Sequence, residues 1–320
     1  MDLFAAVDLG ASNVRVAIGD ERGFRKKLSE KTERDEGAVA ISAQIIRMIR
    51  ALNGNAVEAV GVGSLGPLDI SAGMVANPPN MPFKRIPLIE PLQQELKKPV
   101  RLLNDCSAAV LGEAIFGAGC GIKNLVYVTL STGLGAGAIV DGHLLIGKDG
   151  NAVEVGHVTI DPHSELVCGC GCRGHWEAYS SGGNLPNYVR LLLRDREWIG
   201  SHLHELSGGD PMAITTVNLF AAATEGDDVA LWVVRMIGKI NTIGFADIVN
   251  AYDPELITVG GSVALENPDL ILKPIGDNID KHLINRKPKI CITPLGGEAV
   301  LYGALALAMK KENQIKGAEK

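Results

Sequence analysis

The sequence predicts an α/β protein made of two domains. The chain has 320 residues, roughly twice the ~150 residues of an average domain. Apolar residues make up 46% of it, which is enough for a sizeable core and excludes a wholly disordered chain. Short apolar runs alternate with helical patterns, and one hairpin pattern occurs twice, near residues 7–20 and 128–141. This internal similarity suggests two related α/β halves that face a cleft, although two unrelated hairpins remain the alternative interpretation.

The first half begins with hairpins. Its predicted strands, separated by turns, are residues 3–7, 14–18 and a run from residue 24. Apolar residues spaced by three or four positions predict a helix over residues 37–53, and a buried strand follows at 57–62. Residues 66–91 are rich in Pro and Gly, which predicts a loop in which neither a regular ladder nor a helix persists.

The second half repeats this plan and then becomes mainly helical. A strand at 100–103 precedes a helix at 107–116, for which Asn104 and Asp105 are candidate N-caps. The predicted elements after it are strands at 125–128 and 137–140, a long helix at 227–251 interrupted at Gly238 and Gly244, a strand at 256–259, a helix near 269–283, a strand at 289–292, a last helix from 298 to about 310, and a polar tail at 311–320.

Charge and motif content exclude several classes of protein. The net charge is −6, so no global positive field attracts nucleic acid or a membrane surface, and we expect neither as a partner. The apolar N-terminal run ends at Asp8, which is too soon for an export signal, so we expect a cytoplasmic protein. Residues 61–66 match the G-x-G-x-x-G pattern, but Pro67 and a loop follow where a dinucleotide-binding motif needs a helix. No P-loop motif occurs either.

Two turns of small residues are candidates for phosphate binding. Residues 8–13 and 130–135 combine Gly with Ser or Thr, so backbone amides can converge on an oxyanion while hydroxyl groups add donors. Asp8 is a candidate to hold Mg²⁺ through water. Ordinary tight turns are the alternative interpretation of both segments.

Asp105 lies between a predicted strand and a predicted helix, with Asn104 before it. Position alone favours a helix cap. A carboxylate at such an edge is also where a base for transfer of a phosphoryl group to a hydroxyl would lie.

A cluster of thiols and imidazoles gives the strongest signal. Five such side chains occur within nineteen residues, interspersed with Gly: His157, Cys168, Cys170, Cys172 and His175. This pattern is typical of a closed tetrahedral zinc site with a structural role, and redox chemistry at the thiols is the alternative. The loop that such a metal would fix also carries Glu154 and Glu177.

Together these motifs resemble the ROK family (repressors, open reading frames and kinases), which contains sugar kinases of the actin-like ATPase superfamily. The resemblance spans about residues 3–310, and its most specific parts are E-x-G-H at 154–157 and C-x-C-G-x-x-G at 168–174. It implies a ribonuclease H-like α/β fold with a cleft between two domains. The small domain would comprise residues 1–104 plus about 298–320, and the large domain residues 105–297 with the zinc-binding loop.

The resemblance implies ATP-dependent phosphorylation of the 6-hydroxyl of a hexose, with glucose as the expected substrate, ATP and Mg²⁺ as cofactors, and a structural Zn²⁺. Kinases of N-acylhexosamines (N-acetylglucosamine or N-acetylmannosamine) and of fructose are close alternatives. A non-catalytic sugar-sensing protein and a repressor are the alternatives from other classes. Repressors carry a DNA-binding domain before the kinase-like fold, and we expect none here because the first turn begins at Asp8. Family members are usually oligomers, so a homodimer or homotetramer is expected.

The residues that match the family's motifs fall into three sets, in which Asp105 is the implied general base. The implied nucleotide contacts are Asp8, Gly10, Ser12, Asn13, Thr132, Gly133, Gly260 and Gly261. The implied sugar contacts are Gly66, Asn80, Asn104, Asp105, Glu154, His157 and Glu177. The implied metal ligands are His157, Cys168, Cys170 and His175, with Cys172 as the alternative fourth ligand.

Two departures from the family pattern affect these assignments. His175 stands where the family has its third cysteine, and Cys172 is an additional thiol. Ala11, Ser12 and Ser131 replace the more usual Gly, Thr and Gly. Ser12 keeps the hydroxyl of the usual Thr, whereas Ser131 can replace Gly only where the backbone φ is not positive.

Overall fold

The computed structural model describes residues 2–310, so the predicted polar tail at 311–320 lies outside the described residues. The chain groups into two compact units. Unit 1 comprises Met1–Tyr127, Ala136–Val153 and Thr293–Lys320, and unit 2 comprises Val128–Gly135 and Glu154–Ile292. This grouping differs from the predicted domain boundaries at residues 105 and 298, which stay a prediction.

A five-stranded sheet organises unit 1, in the order β3-β2-β1-β4-β8. Its strands are β1 (Phe4–Leu9), β2 (Asn13–Asp20), β3 (Gly23–Lys31), β4 (Val60–Ser64) and β8 (Val100–Asn104). β1 pairs antiparallel with β2 and parallel with β4, so the predicted opening hairpins are confirmed. The three central strands are almost wholly buried, because helices cover both faces of the sheet.

Helices α1 (Ala38–Ala51), α2 (Ile89–Leu96), α3 (Asp105–Phe116) and α11 (Ala299–Met309) belong to the same unit. Ile41, Ile45 and Ile49 form the apolar face that α1 buries in the core of the sheet. On another side, Leu301 and Leu305 of α11 pack with the small residues Ala6 and Ala17. Small side chains on the strands let this Ala-rich helix lie close to the sheet.

The prediction that no regular ladder exists within residues 66–91 is wrong. A three-stranded antiparallel sheet forms there from β5 (Leu68–Asp69), β6 (Met74–Ala76) and β7 (Arg85–Pro87), and α2 begins at Ile89. The strands are only two or three residues long, and Val75 and Ile86, which face each other across β6 and β7, are fully buried. Burial of these side chains outweighs the poor local propensity of a Pro-rich segment.

A second five-stranded sheet has the order β11-β10-β9-β12-β13. Its strands are β9 (Leu125–Leu130), β10 (Leu134–Val140), β11 (His143–Leu144), β12 (Leu256–Gly260) and β13 (Lys289–Ile292). The β9–β10 hairpin and its turn confirm the predicted repeat of the opening pattern.

Most of the α-helices of the described residues belong to unit 2. Its helices are α4 (Glu177–Ser180), α5 (Leu185–Leu193), α6 (His202–Leu206), α7 (Thr216–Thr224), α8 (Asp228–Tyr252), α9 (Ser262–Glu266) and α10 (Pro268–Asn278). The predicted interruptions of α8 at Gly238 and Gly244 are wrong, because the helix is continuous through both. Pro274 packs against Gly238, and the indole of Trp176 packs against Gly244. A side chain at either position would clash with these neighbours.

By length and composition alone, α8 is the one helix of residues 2–310 that passes as a candidate membrane span. More than half of its apolar window is buried inside the protein. Because a core helix of a soluble protein has these same properties, α8 does not indicate a membrane protein.

Candidate functional site

The first small-residue turn joins β1 to β2. The N–H of Gly10 donates to the carbonyl of Asn13 at 3.0 Å and closes the turn, and the hydroxyl of Thr32 donates to the carbonyl of Gly10 at 2.8 Å. Ser12 and Asn13 are exposed at its tip. The turn is therefore rigid at its base and offers polar side chains at its surface, as a phosphate site requires.

Asp8 is buried beneath this turn and pairs with Arg15, the residue directly opposite it in the hairpin. Arg15 Nε donates to Asp8 Oδ2 at 2.8 Å, and Arg15 Nη1 donates to the carbonyl of Gly297 at 2.5 Å. Burial raises the pKa of Asp8, and the guanidinium opposes that rise. The sequence interpretation missed Arg15, because it ended the first strand at Val7, whereas the observed strands continue to Leu9 and pair Asp8 with Arg15.

Asp105 is the first residue of α3, directly after β8. The side-chain oxygen of Asn104 accepts from the N–H of Cys106 at 2.9 Å, so the predicted N-cap is confirmed for Asn104. Asp105 Oδ1 accepts from the same N–H at 2.7 Å. A carboxylate at a helix N-terminus is stabilised by the unpaired amides there, so local structure orients the group that the resemblance identifies as the base.

The predicted sugar contacts of unit 1 occupy two places. Gly66 is packed next to Asn104: a Cβ on Gly66 would lie 3.1 Å from Asn104 Nδ2. Asn80 is exposed in the segment between β6 and β7, where Arg34 Nη2 donates to its carbonyl at 3.0 Å.

The second small-residue turn, 131–133, joins β9 to β10 in unit 2. The N–H of Ser131 donates to the carbonyl of Gly133 at 2.9 Å. Two backbone bonds brace the turn from outside, from the N–H of Gly182 to Ser131 (2.7 Å) and from the N–H of Gly183 to Thr132 (3.1 Å). Among the described residues, Ser131 is not one of the six non-glycine residues with positive φ, so its replacement of Gly brings no strain.

Gly260 ends β12, and Gly261 packs directly on the residue that precedes the second turn. Gly261 has a φ of 85°, and a Cβ there would lie 2.3 Å from the carbonyl oxygen of Leu130. Only glycine fits this close approach without strain. Gly261, an implied nucleotide contact, is therefore a neighbour of the predicted phosphate turn of unit 2.

Glu177, at the start of α4, connects this turn to the cysteine loop. Its Oε2 accepts from the N–H of Leu134 at 3.0 Å, and Cys168 Sγ donates to its Oε1 at 3.3 Å. Desolvation raises the pKa of Glu154, the electrostatic interaction with His157 opposes that rise, and the Glu177 carboxylate adds to it. Glu154, His157 and Glu177 thus interact within one polar group, as the resemblance implies for residues that hold sugar hydroxyls.

The cysteine loop is a tight hairpin. The N–H of Gly171 donates to Cys168 and the N–H of Cys168 donates to Cys172, each at 2.8 Å. Gly171 supplies the left-handed residue (φ 89°) that such a three-residue turn needs. Cys168 is buried, whereas Cys170 and Cys172 are exposed.

Four donors meet at this hairpin: the ligand atoms of His157, Cys168, Cys170 and His175 all lie within 4.8 Å of one another. Cys168 Sγ is 3.6 Å from His157 Nδ1, and Cys170 Sγ is 3.3 Å from His175 Nδ1. Burial raises the pKa of the Cys168 thiol to about 12, so a thiolate there requires the positive charge of a bound cation. Burial lowers the pKa of His175, which favours the neutral ring that binds metal. Two thiols and two imidazoles at this spacing suit tetrahedral zinc.

Trp176 anchors the hairpin to the core of unit 2. Its side chain is fully buried, its Nε1 donates to Asn241 Oδ1 at 2.9 Å, and its ring meets Phe245 edge to face. Both partners lie on α8, so the long helix holds the segment that joins His175 to Glu177.

A ROK family model matches residues 4–311 of the chain. The chain is 39% identical over 316 residues to a glucokinase of Pyrobaculum calidifontis, covering 99% of this chain and 98% of the relative.

Two solved structures are similar in fold. A ROK family glucokinase of Streptomyces griseus in complex with glucose and AMPPNP has a TM-score of 0.79 at 33% identity, with 96% of this chain and 99% of that one covered. A ROK hexokinase of Thermus thermophilus has a TM-score of 0.81 at 29% identity, with 96% and 97% covered. These similarities confirm the predicted two-domain α/β fold of the actin-like ATPase type.

Proposed function

Because the chain belongs to the ROK family, we propose that it is an ATP-dependent hexose kinase that phosphorylates the 6-hydroxyl of glucose. The observation that carries the proposal is similarity over nearly the whole chain to glucokinases, one of them solved with glucose and an ATP analogue.

In the proposed reaction, the 6-hydroxyl oxygen of the sugar attacks the γ-phosphorus of ATP, and the bond to the β-phosphate oxygen breaks. Asp105 accepts the hydroxyl proton, and ADP leaves with the electron pair of the broken bond. Asp105 suits this role because the first turn of α3 fixes its carboxylate. The remaining catalysis is positioning and charge stabilisation, which the small-residue turns supply through backbone amides and the Ser12 and Thr132 hydroxyls.

Sugar recognition is assigned to two clusters of residues: Asn104 with Gly66, and Glu154 with His157 and Glu177. Asn104 uses its Oδ1 to cap α3, so its Nδ2 is the donor available to a sugar hydroxyl, next to Gly66. Glu154, His157 and Glu177 hold other hydroxyls, and Asn80 completes the set. His157 faces Cys168 through Nδ1, which assigns Nε2 to the sugar.

Two cations belong to the proposal. Mg²⁺ would offset the negative charge of the ATP phosphates. Asp8 offers the oxygen ligand that Mg²⁺ prefers, and the contact would run through water because Arg15 engages Oδ2. Zn²⁺ would be held by His157, Cys168, Cys170 and His175, with Cys172 as the alternative fourth ligand, and would fix the loop between Glu154 and Glu177.

We further propose a cytoplasmic enzyme with domains at residues 1–104 plus about 298–320 and at 105–297. A homodimer or homotetramer is the expected assembly, which light scattering coupled to size-exclusion chromatography measures directly.

The deciding experiment measures ADP release with glucose, mannose, fructose, N-acetylglucosamine and N-acetylmannosamine, each with ATP and with alternative phosphoryl donors. We expect the highest kcat/KM for glucose with ATP, and glucose 6-phosphate as the product. A higher kcat/KM for an acylated hexosamine or for fructose would reassign the substrate. Sugar binding without ADP release for any member of the panel would favour a non-catalytic sugar-sensing protein.

A further inference from the structure

Asn151 ties the segment before Glu154 to strand β5, and both partners belong to unit 1. The N–H of Leu68 donates to Asn151 Oδ1 at 2.7 Å, and Asn151 Nδ2 donates to the carbonyl of Leu68 at 2.8 Å. One side-chain amide thus satisfies both polar groups of a single backbone residue, in the way a neighbouring strand does. The N–H of Ile70 adds a bond to the carbonyl of Asp149 at 3.3 Å.

The same amide is packed against the Gly66 turn. A Cβ on Gly66 would lie 3.7 Å from Asn151 Oδ1 and 3.1 Å from Asn104 Nδ2. Asn104, Gly66 and Asn151 therefore form one contiguous cluster, and two of the three are proposed sugar contacts. A shift of Leu68 would displace the Gly66 turn, which lies two residues earlier in the chain.

On its other side, Asn151 precedes a strained stretch of backbone. Val153 is buried and has a φ of 67°, a region that β-branched residues rarely adopt. Such a conformation persists only where the surrounding structure fixes it. Asn151 supplies a fixed point two residues earlier, and Glu154, a proposed sugar contact, follows directly.

We propose that Asn151 is a positioning residue for the sugar. Its paired hydrogen bonds fix Leu68, and with it the Gly66 turn, while they also anchor the backbone that leads to Glu154. Asn151 acts through these residues rather than on the reacting atoms. The inference rests on the proposed function, because it concerns the binding of the same hexose.

The test compares Asn151→Ala with a matched control, Asn250→Ala. Asn250 also makes one accepted and one donated side-chain bond in unit 2, to two different residues: the N–H of Ile284 donates to its Oδ1 at 3.1 Å, and its Nδ2 donates to the carbonyl of His282 at 2.9 Å. We expect Asn151→Ala to raise the KM for glucose about tenfold, since two hydrogen bonds of ordinary strength are lost. The kcat should stay within about threefold and the KM for ATP should not change. Asn250→Ala should leave all three constants near those of the wild type.

A binding measurement makes the test independent of turnover. Isothermal titration of glucose without nucleotide should show the same loss of affinity for Asn151→Ala. Asn151→Ser has a hydroxyl that can replace one of the two bonds. Its KM for glucose should therefore lie between those of the wild type and Asn151→Ala. Should the alanine variant fail to fold, the serine variant carries the comparison.

The outcomes separate the two proposals. A wild-type enzyme that does not phosphorylate glucose contradicts the proposed function before any variant is made. An active Asn151→Ala enzyme with an unchanged glucose KM overturns only the positioning role. A fall in kcat together with a similar rise in the KM for glucose and the KM for ATP would also overturn it, because that pattern indicates general damage.

Discussion

Arg15 neutralises a carboxylate that the fold has removed from water. Its Nε donates to Asp8 Oδ2 at 2.8 Å across the β1–β2 hairpin, directly beneath the turn assigned to phosphate. Asp8 is 6% exposed, and the pKa of Asp8 is raised by burial despite the guanidinium. The stability of the hairpin therefore depends on the charge of Asp8 at the base of the turn.

Replacement of Arg15 should destabilise the protein in a pH-dependent way. Arg15→Ala leaves the ionised Asp8 buried without a partner, at a cost of about 1–3 kcal/mol at pH 7. The cost is below that of a fully buried pair because the Arg15 side chain is 35% exposed. The raised pKa of Asp8 rises further, so stability is lost as pH increases through it and is regained near pH 4, where the carboxyl is protonated.

Urea unfolding of the wild type and Arg15→Ala at pH 4 and pH 7 measures this difference. A matched control is Arg25→Ala, because Arg25 pairs with Asp20 on the neighbouring strands. The pKa of Asp20 is lowered by the N–H of Arg22 and by Arg25, so Asp20 is ionised at both pH values and the cost of Arg25→Ala should change little between them. An equal increase in cost from pH 4 to pH 7 for both variants would contradict the assignment of the Arg15 effect to a desolvated Asp8.

Removal of the Asp105 carboxylate should lower turnover by orders of magnitude with little change in fold. Asp105→Asn keeps an oxygen that can accept from the N–H of Cys106, and Asn104 continues to cap α3. Loss of a general base lowers kcat by about 10²–10⁴. Steady-state kinetics at saturating glucose and ATP, with the melting temperature measured alongside, tests this expectation.

Asp269→Asn is the control for Asp105→Asn. Asp269 also lies in the first turn of a helix, α10, and has no assigned role. This variant should turn over like the wild type. Near-normal kcat in Asp105→Asn would remove the base from the mechanism.

The sequence predicts this fold well where the chain is strongly periodic, and poorly where tertiary contacts decide. The hairpins, α8 and the Asn104 cap follow from alternation, helical spacing and cap chemistry. The small β5–β6–β7 sheet was missed because strands of two or three residues show no periodicity. Helices α4 to α7 were not predicted either, since each is only four to nine residues long.

The candidate site shows the same division. The cysteine loop could be found because its ligands are close in sequence, whereas the pairing of Arg15 with Asp8 depends on a register that the predicted strands do not give. Asn151 could not be found either, because its partner Leu68 is 83 residues away. Glu113 is an intermediate case: it is the single charged residue between Cys106 and Phe116, which marks it as unusual, but its partner Thr293 is 180 residues away.

Glu113 should make stability decline with increasing pH. Its side chain is buried in unit 1, where Thr293 Oγ1 donates to one oxygen and the N–H of Ala118 donates to the other at 3.0 Å. Burial raises the pKa of Glu113, and these two donors only partly oppose the rise. A raised folded-state pKa gives stability that is complete below the unfolded value of about 4.3 and is lost as pH rises through the folded value.

Glu113→Gln, which cannot ionise, should flatten that slope. The free energy of unfolding of wild type minus variant should fall between pH 4 and pH 8, as measured by urea titration at several pH values. A parallel pH dependence for wild type and Glu113→Gln would show that Glu113 titrates normally.

Metal content should identify the ligands of the cysteine loop. We expect about one zinc per chain by elemental analysis of protein purified without chelator, because His157, Cys168, Cys170 and His175 supply a complete tetrahedral donor set. Cys168→Ser and His175→Ala should each lose the metal. Cys172→Ser should retain it, since Cys172 is the one thiol of the loop outside that set, and it is therefore the matched control.

Retention by His175→Ala together with loss by Cys172→Ser would make Cys172 the fourth ligand, and wild-type protein without zinc would contradict a metal site at this loop. Because Cys168 Sγ lies 3.3 Å from Glu177 Oε1, loss of zinc should disturb this proposed sugar contact and raise the KM for glucose along with lowering the melting temperature.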